Sequence, residues 1–353
     1  MMRRAIKLKA AIIGMLLAGL VLPGTVYSGD EENGLLKANG VSTERDAIEY
    51  YATIDPDNIR LTQDAWEDVN GFNDPANEII VVKGHKNVSD LGFYRKIEMV
   101  IDKRDGYEGN VAFTTFNYFT EEDAINDVAG ELAASIVNME YSPGPDGDHI
   151  TKFYIYDGVT RERQLSTIFD PNLSMAEELY LPSGCTSCHG GEDGFGHEGD
   201  IKGGFLAFDF NAFEYGSLVT RANQEENVKK LNEGVLMTNP SKAVKNLVYG
   251  LYGGRDLPLQ TQNSDYLPSD WVGEEELYGV IVRDCLGCHT LSETAVLSLN
   301  WWKRNTSELK EHVLKDMNMP NSPFANRRFF YETNNHQIVR DALDRFAAES
   351  DGM

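Results

Sequence analysis

Cys185-Thr186-Ser187-Cys188-His189 and Cys285-Leu286-Gly287-Cys288-His289 are the two stretches from which this chain is read, and together they use all four of its cysteines. Two thiols three residues apart can reach two vinyl groups on one porphyrin edge and form thioethers. The histidine that follows is then delivered to the iron as an axial ligand. C-x-x-C-H is the attachment signature of c-type haem, and two complete copies with no cysteine left over predict two covalently attached haem c groups. Cys185, Cys188, His189, Cys285, Cys288 and His289 are the expected cofactor-binding residues, with His189 and His289 on iron.

Other uses of the cysteines fit less well. A zinc site made from two C-x-x-C pairs usually separates them by about 15–20 residues, whereas 96 lie between Cys188 and Cys285. A thioredoxin-like dithiol belongs on a βαβ pattern in a reducing cell. Two disulfides within such short loops would add little stability.

Around the first motif, residues 184–204 are rich in glycine, as suits backbone lying close to a flat ligand. Phe205, Phe208, Phe210, Phe213 and Tyr215 follow and read equally as a haem wall or as core. Val228, Leu231 and Val235 mark one helix, and Val244, Leu247 and Val248 a second that starts at Ser241. Before the second motif, Glu274–Asp284 carries Leu277, Tyr278, Ile281 and Val282 at helical spacing. Ile338, Val339, Ala342, Leu343 and Phe346 pattern a closing helix over residues 335–348.

Upstream, two short helices are expected over residues 42–53 and 61–69. Tyr94–Ile101, Val111–Tyr118 and Ile150–Tyr156 read as strands, and Ile79–Val82 is a short apolar run. Thr120 with Asp123 is a helix start. Ile125, Val128, Leu132 and Ile136 extend that helix as an apolar stripe.

The first 28 residues have the layout of a secretory signal. Arg3, Arg4, Lys7 and Lys9 precede an apolar run from Ala10 to Leu22, and Val26-Tyr27-Ser28 offers a cleavage site. Thirteen apolar residues fall short of the roughly 20 needed to span a bilayer. A periplasmic or secreted protein without a stable membrane anchor is expected. Removing the signal's four basic residues takes the formal charge from −24 to −28. Such an acidic chain disfavours nucleic acid and anionic lipid and suits basic redox partner proteins.

An entry helix, C-x-x-C-H at Cys285–His289, Met319-Pro320 and a closing helix together resemble the class I cytochrome c domain over about 75 residues. The resemblance implies that the first and last helices cross and that Met319 binds iron opposite His289. A wider resemblance is to a group of exported bacterial dihaem proteins. It rests on Asp90-Leu91-Gly92-Phe93, Met139-Glu140-Tyr141-Ser142-Pro143, Phe153-Tyr154, Cys188-His189-Gly190-Gly191, Gly204-Phe205-Leu206, Phe208-Asp209, Arg221-Ala222, Gln224-Glu225, Leu231-Asn232 and Met319-Pro320. It implies one joint architecture holding two haems and leaves the activity open.

The expected fold is therefore an α+β N-terminal domain followed by mainly α-helical haem-binding regions, the last a class I cytochrome c-like helical domain. The expected divisions are a signal peptide over 1–28, the α+β domain with its helical lead-in over 29–180, a haem 1 region over 181–260 and a haem 2 domain over 261–353. Met317 and His312 are the other sixth-ligand candidates at haem 2. At haem 1 the candidates are Met139 and His197, then His149, His85 or a vacant position. An electron carrier between redox partners is favoured over a peroxidase-like dihaem enzyme or a haem-based sensor.

Overall fold

The alternation at Tyr94–Ile101 and Val111–Tyr118 produces two strands with those bounds, at the centre of a seven-stranded antiparallel sheet. The structure, a computed structural model, describes residues 42–88, 90–127, 129–168, 178–190, 201–290, 298–317, 319, 320 and 322–351. The signal segment lies outside them. In chain order the first elements are α1 (Glu44–Ile54), α2 (Gln63–Val69), β1 (Ile80–Asn87), β2 (Tyr94–Ile101), β3 (Val111–Tyr118), α3 (Glu121–Asn126), β4 (Ser135–Pro143) and β5 (His149–Asp157). Then come β6 (Arg163–Gln164), β7 (Ser166–Ile168), β8 (Glu178–Tyr180), α4 (Ser183–His189), β9 (Phe213–Tyr215), α5 (Glu225–Met237) and α6 (Lys242–Leu251). The chain ends with α7 (Glu275–Asp284), α8 (Leu286–His289), α9 (Leu299–Arg304), α10 (Thr306–Leu309), α11 (Pro323–Arg327) and α12 (Asn335–Asp351). None of the described helices is long and apolar enough to cross a membrane.

The sheet order is β6-β5-β4-β3-β2-β1-β9, with β7 and β8 as a separate pair. Its seventh strand comes from the expected haem 1 region, where Phe213, Glu214 and Tyr215 pair with Asn87, Lys86 and His85. This mixed α/β fold corrects the expectation of mainly α-helical haem regions ending in a class I cytochrome c-like helical domain. The reason is the open edge of β1. Its N–H and C=O groups need partners, and an alternating aromatic–acidic–aromatic triplet supplies them. Phe205 and Phe208 pack on Phe113 at ring-centroid distances of 5.3 and 5.9 Å, so they are core on a sheet face. The C-terminal helices share that core. α12 packs on α7, and Arg283 of α7 reaches Glu214 of β9 at 3.0 Å.

The long helix expected from Thr120 also fails. Thr120 does cap α3, accepting from the Asp123 N–H at 3.1 Å. The helix stops after six residues because the Asp127 carboxylate captures the Glu131 and Leu132 N–H groups at 3.0 and 2.7 Å. Gly130 then adopts φ +77° against the Phe116 ring. Ile136 becomes a strand residue opposite Phe116.

The two faces of the sheet differ in chemistry. One carries Ile97, Met99, Phe113, Thr115, Val137, Met139, Phe153 and Ile155 in cross-strand register, and α5 packs on it, with Gly234 against Met99 and Phe113. The other mixes Phe116, Ile136, Tyr154 and Tyr156 with a buried polar cluster covered from α2. Gln63 donates to Thr114 Oγ1 at 3.1 Å and accepts from Asn138 at 2.7 Å. Glu140 is wholly buried there, 3.1 Å from Arg60 and 3.4 Å from Lys152, and it accepts from Asn70 and Ser142 at 2.9 and 2.8 Å. At the far edge, the Phe153 and Ile155 N–H groups donate to the Tyr50 and Tyr51 hydroxyls of α1, at 2.9 and 3.2 Å.

Burial alone would raise the Glu140 pKa, but Arg60 and Lys152 outweigh it and hold the carboxyl below its ordinary value. Its contribution to stability is thus fully present above the unfolded pKa of about 4.3 and is lost as pH falls through the folded one. Glu140→Ala strands two buried cations and is expected to cost about 3–5 kcal/mol in denaturant unfolding at pH 7. A loss under 1 kcal/mol would show that the cluster is not a unit.

Candidate functional site

α4 carries the first motif to the apolar face of the sheet. Cys185 is buried, and Cys188 and His189 are half-buried. His189 Nδ1 lies 2.9 Å from the Gly204 carbonyl. A carbonyl only accepts, so Nδ1 carries the proton and Nε2 keeps its lone pair for a metal. The His189 ring rests 5.2 Å from Phe153 of β5. Gly203 passes so close to Phe153 that a Cβ would sit 2.9 Å from the ring, which is why the glycine-rich chain is needed here. Burial, opposed by the Gly204 carbonyl and reinforced by Arg95, pushes His189 down to about 4 and keeps it neutral.

α7 runs directly into the second motif. The Asp284 carboxylate, one residue ahead of Cys285, is buried against the Arg328 guanidinium and accepts from Asn335 Nδ2 at 2.6 Å. These contacts tie the approach to the motif to the residue that follows α11 and to the start of α12. Cys285, Cys288 and His289 are half-buried, and burial lowers the His289 pKa.

The two motifs meet. Cys188 Sγ lies 3.4 Å from Cys288 Sγ, although 99 residues intervene in the sequence. Burial raises the Cys185 and Cys285 thiols, and the contact with Cys188 followed by burial raises Cys288. Such surroundings disfavour a thiolate and suit an uncharged thioether sulfur.

Beside this seam stand two residues that the motif reading missed. Arg95 of β2 pairs with Asp90 at 2.7 Å and donates to Asn117 Oδ1 at 3.2 Å. The Asp90 carboxylate acts on Cys288, and the Arg95 charge acts on His189. Asp90 also anchors the Met319 loop, because its carbonyl accepts from Ser322 Oγ, while Phe324 leaves no room for a Cβ at Gly92. Asn326 Nδ2 spans the loop, donating to the Met317 and Pro320 carbonyls at 2.9 and 3.1 Å. The fold thus joins Asp90-Leu91-Gly92-Phe93 to Met319-Pro320, two stretches singled out only by resemblance. Met319 is half-buried and packs on the core.

The remaining candidates are scattered. Met139 is buried on β4 between Phe113 and Phe153, within the wall on which His189 rests. His149 is engaged with Asn110 Oδ1 at 2.8 Å. His312 is exposed and 3.7 Å from Asp316. His197 lies outside the described residues. His85 is fully buried on β1, and neither ring nitrogen has a hydrogen-bond partner among the described residues. The signal for it was Gly84, an isolated glycine inside a strand, which marks a bulge.

The donors fit a covalent haem at each motif: two thiols three residues apart followed by an imidazole, with Nδ1 fixed by a carbonyl at His189. Among the described residues, no three Cys, His, Asp or Glu side chains converge as a metal cage. A haem iron needs none, since its ligands are the porphyrin and two axial side chains. Comparison of the chain with protein-family models, curated proteins and solved structures finds no match.

Asp209 follows the first motif and packs near Tyr278 of α7, which its charge reaches. It is buried and accepts from the Asn211 N–H at 2.8 Å. Burial pushes its pKa up to about 6, against the pull of that N–H and of Arg221. A raised carboxyl makes the folded state bind a proton that the unfolded state has lost. Stability should therefore fall as pH rises from about 4 to about 6, by on the order of 3 kcal/mol. Asp209→Asn should flatten that arm in unfolding measured across pH. An unchanged arm would locate the titration elsewhere.

Proposed function

We propose that the chain is an exported dihaem c-type cytochrome that transfers electrons between redox partner proteins. The observation that carries this reading is the meeting of two complete C-x-x-C-H motifs at the contact between Cys188 and Cys288. In this reading Cys185, Cys188, Cys285 and Cys288 tether the two groups, and His189 and His289 ligate iron. Bound haem supplies a one-electron iron couple. The chain fixes the His189 ring through Gly204 and Phe153 and holds the Met319 loop through Asn326 and Ser322. With the two attachment points at one seam, an electron entering at one centre reaches the other without a separate carrier. The acidic chain supports basic partners, whose docking weakens as salt shortens the Debye length. The signal-like first 28 residues support a periplasmic or secreted location, where attachment to C-x-x-C-H takes place.

Mass spectrometry of the mature protein should show the polypeptide plus two haems, retained after acid–acetone extraction. One haem or none would end the reading at that motif. Both irons should be low-spin, with carbon monoxide binding slowly or not at all. A high-spin haem with peroxide turnover would make the protein an enzyme instead.

Met319 is proposed as the sixth ligand of haem 2. A thioether favours reduced iron, so haem 2 should be the higher-potential centre. Met319→His should stay low-spin and lower one of the two potentials, and Met319→Ala should open one haem to carbon monoxide. Persistence of a sulfur-to-iron absorption band in Met319→Ala would remove Met319 from the role.

A further inference from the structure

The segment that carries Met319 is held in a conformation it would not adopt alone. Met317 has φ +53°, in the left-handed region that residues with a Cβ rarely enter. Strain of this kind persists only where surrounding contacts over-determine it, and it gathers at ligand clamps. Asn326 Nδ2 supplies one such contact by donating to the Met317 and Pro320 carbonyls. The helical stretches on either side are irregular too. Lys310–Lys315 and Arg328–Glu332 wind as π-helical turns, a rare form found mostly at functional sites.

The other contacts come from the sheet. Ser322 is buried, and its hydroxyl works in two directions. Oγ accepts from the Ala325 N–H at 3.0 Å, which caps α11, and it donates to the Asp90 carbonyl, 232 positions away in the sequence. Beside it, a Cβ on Gly92 would run into the Phe324 ring, and Gly92 itself sits at φ +72°. Lys86 Nζ, at the end of β1, lies 5.7 Å from the Phe324 ring centroid and 4.4 Å from that of Tyr94, so one cation joins the sheet to α11. The turn is braced from behind. Asp90 pairs with Arg95 of β2 at 2.7 Å, and Arg95 donates to Asn117 of β3. Support therefore passes from three strands to the residues that follow Met319.

We propose that the β1–β2 turn is the positioning element for Met319. It is a clamp in which Asp90 and Gly92 hold Ser322 and Phe324, so that the sulfur stays on iron only while the sheet and the C-terminal helices remain docked. The proposal rests on the dihaem reading with Met319 as sixth ligand, and it adds what keeps that ligand in place. It also gives the N-terminal sheet, whose seven strands include no C-x-x-C-H residue, a part in the chemistry of haem 2. Asp90, Gly92, Ser322 and Phe324 act through Met319 and are positioning residues.

The test uses the full-length, matured protein. Imidazole competes with Met319 for iron, and its apparent Kd is its intrinsic Kd divided by the fraction of molecules in which the sulfur is off. The reading is loss of the sulfur-to-iron absorption band as imidazole is added. Mass spectrometry should first count two haems, and the band should be missing from Met319→Ala. Failure of either removes the reading beneath the proposal, and the proposal with it. Given both, Gly92→Ala, which acts from the sheet side alone, should lower the apparent Kd roughly tenfold, equivalent to about 1.4 kcal/mol of clamping. Ser322→Ala should do the same, and Ser322→Thr, which keeps the hydroxyl, should return the wild-type value. Ser322→Asp separates the two uses of this side chain, since a carboxylate can cap α11 but cannot donate to the Asp90 carbonyl. It should bind imidazole as tightly as Ser322→Ala. If Gly92→Ala cannot be matured, the serine variants carry the test. An apparent Kd within about twofold of wild type in Gly92→Ala or Ser322→Ala, or wild-type binding in Ser322→Asp, would overturn the clamp while leaving Met319 as the ligand.

Discussion

The pairing of Phe213–Tyr215 with Lys86 and its neighbours is the constraint on which the rest of the site depends. Three residue pairs convert the open edge of β1 into an interior position. They also fix the far end of the segment that leaves the first motif, crosses the apolar face past Phe153 and Phe113, and arrives at β9. From β9, Glu214 holds Arg283, two residues before Cys285. Both motifs are therefore referenced to one strand. Without it, nothing in the local sequence of either would bring Cys188 to Cys288.

The two faces of the sheet divide the labour. One face holds a cluster in which Glu140 is paired with Arg60 and Lys152 and accepts from Asn70 and Ser142. Buried charge of this sort is tolerable only when each member is paired, and here Arg60 pairs with Asp55 as well as with Glu140. The apolar face is different. It carries His85, whose ring nitrogens have no partner among the described residues, His189 with Nδ1 fixed by the Gly204 carbonyl, and Arg95 opposite His85.

Much of the local structure could be read from the residues. The bounds of β2 and β3, the capped starts of α3 and α6, and the approach helix to Cys285 follow from alternation, caps and helical spacing. The two C-x-x-C-H motifs were legible because the chemistry proposed for them requires a fixed spacing. What could not be read was anything decided between distant segments. Phe213-Glu214-Tyr215 is too short to announce a strand, and only the vacant edge of β1 makes it one. Ile125, Val128, Leu132 and Ile136 keep helical spacing, yet Asp127 and Gly130 break the chain between them, and strand pairing with Phe116 claims Ile136. His85 looks from its neighbours like an ordinary strand residue; its place on the apolar face depends on a register shift visible only once β2 is beside it.

The contact between Cys188 and Cys288 also bears on how such a molecule is assembled. Two free thiols at van der Waals distance in an oxidising compartment are candidates for a cross-link that joins the wrong motifs. A thioether cannot take part in that reaction, because its sulfur has no proton to lose to form the attacking thiolate. Under the dihaem reading, the order of maturation is set by the finished architecture: each sulfur must be committed to its own porphyrin while α4 and α8 are still apart. In that reading, the seam where the two motifs meet is also the place where premature folding would be penalised during biogenesis.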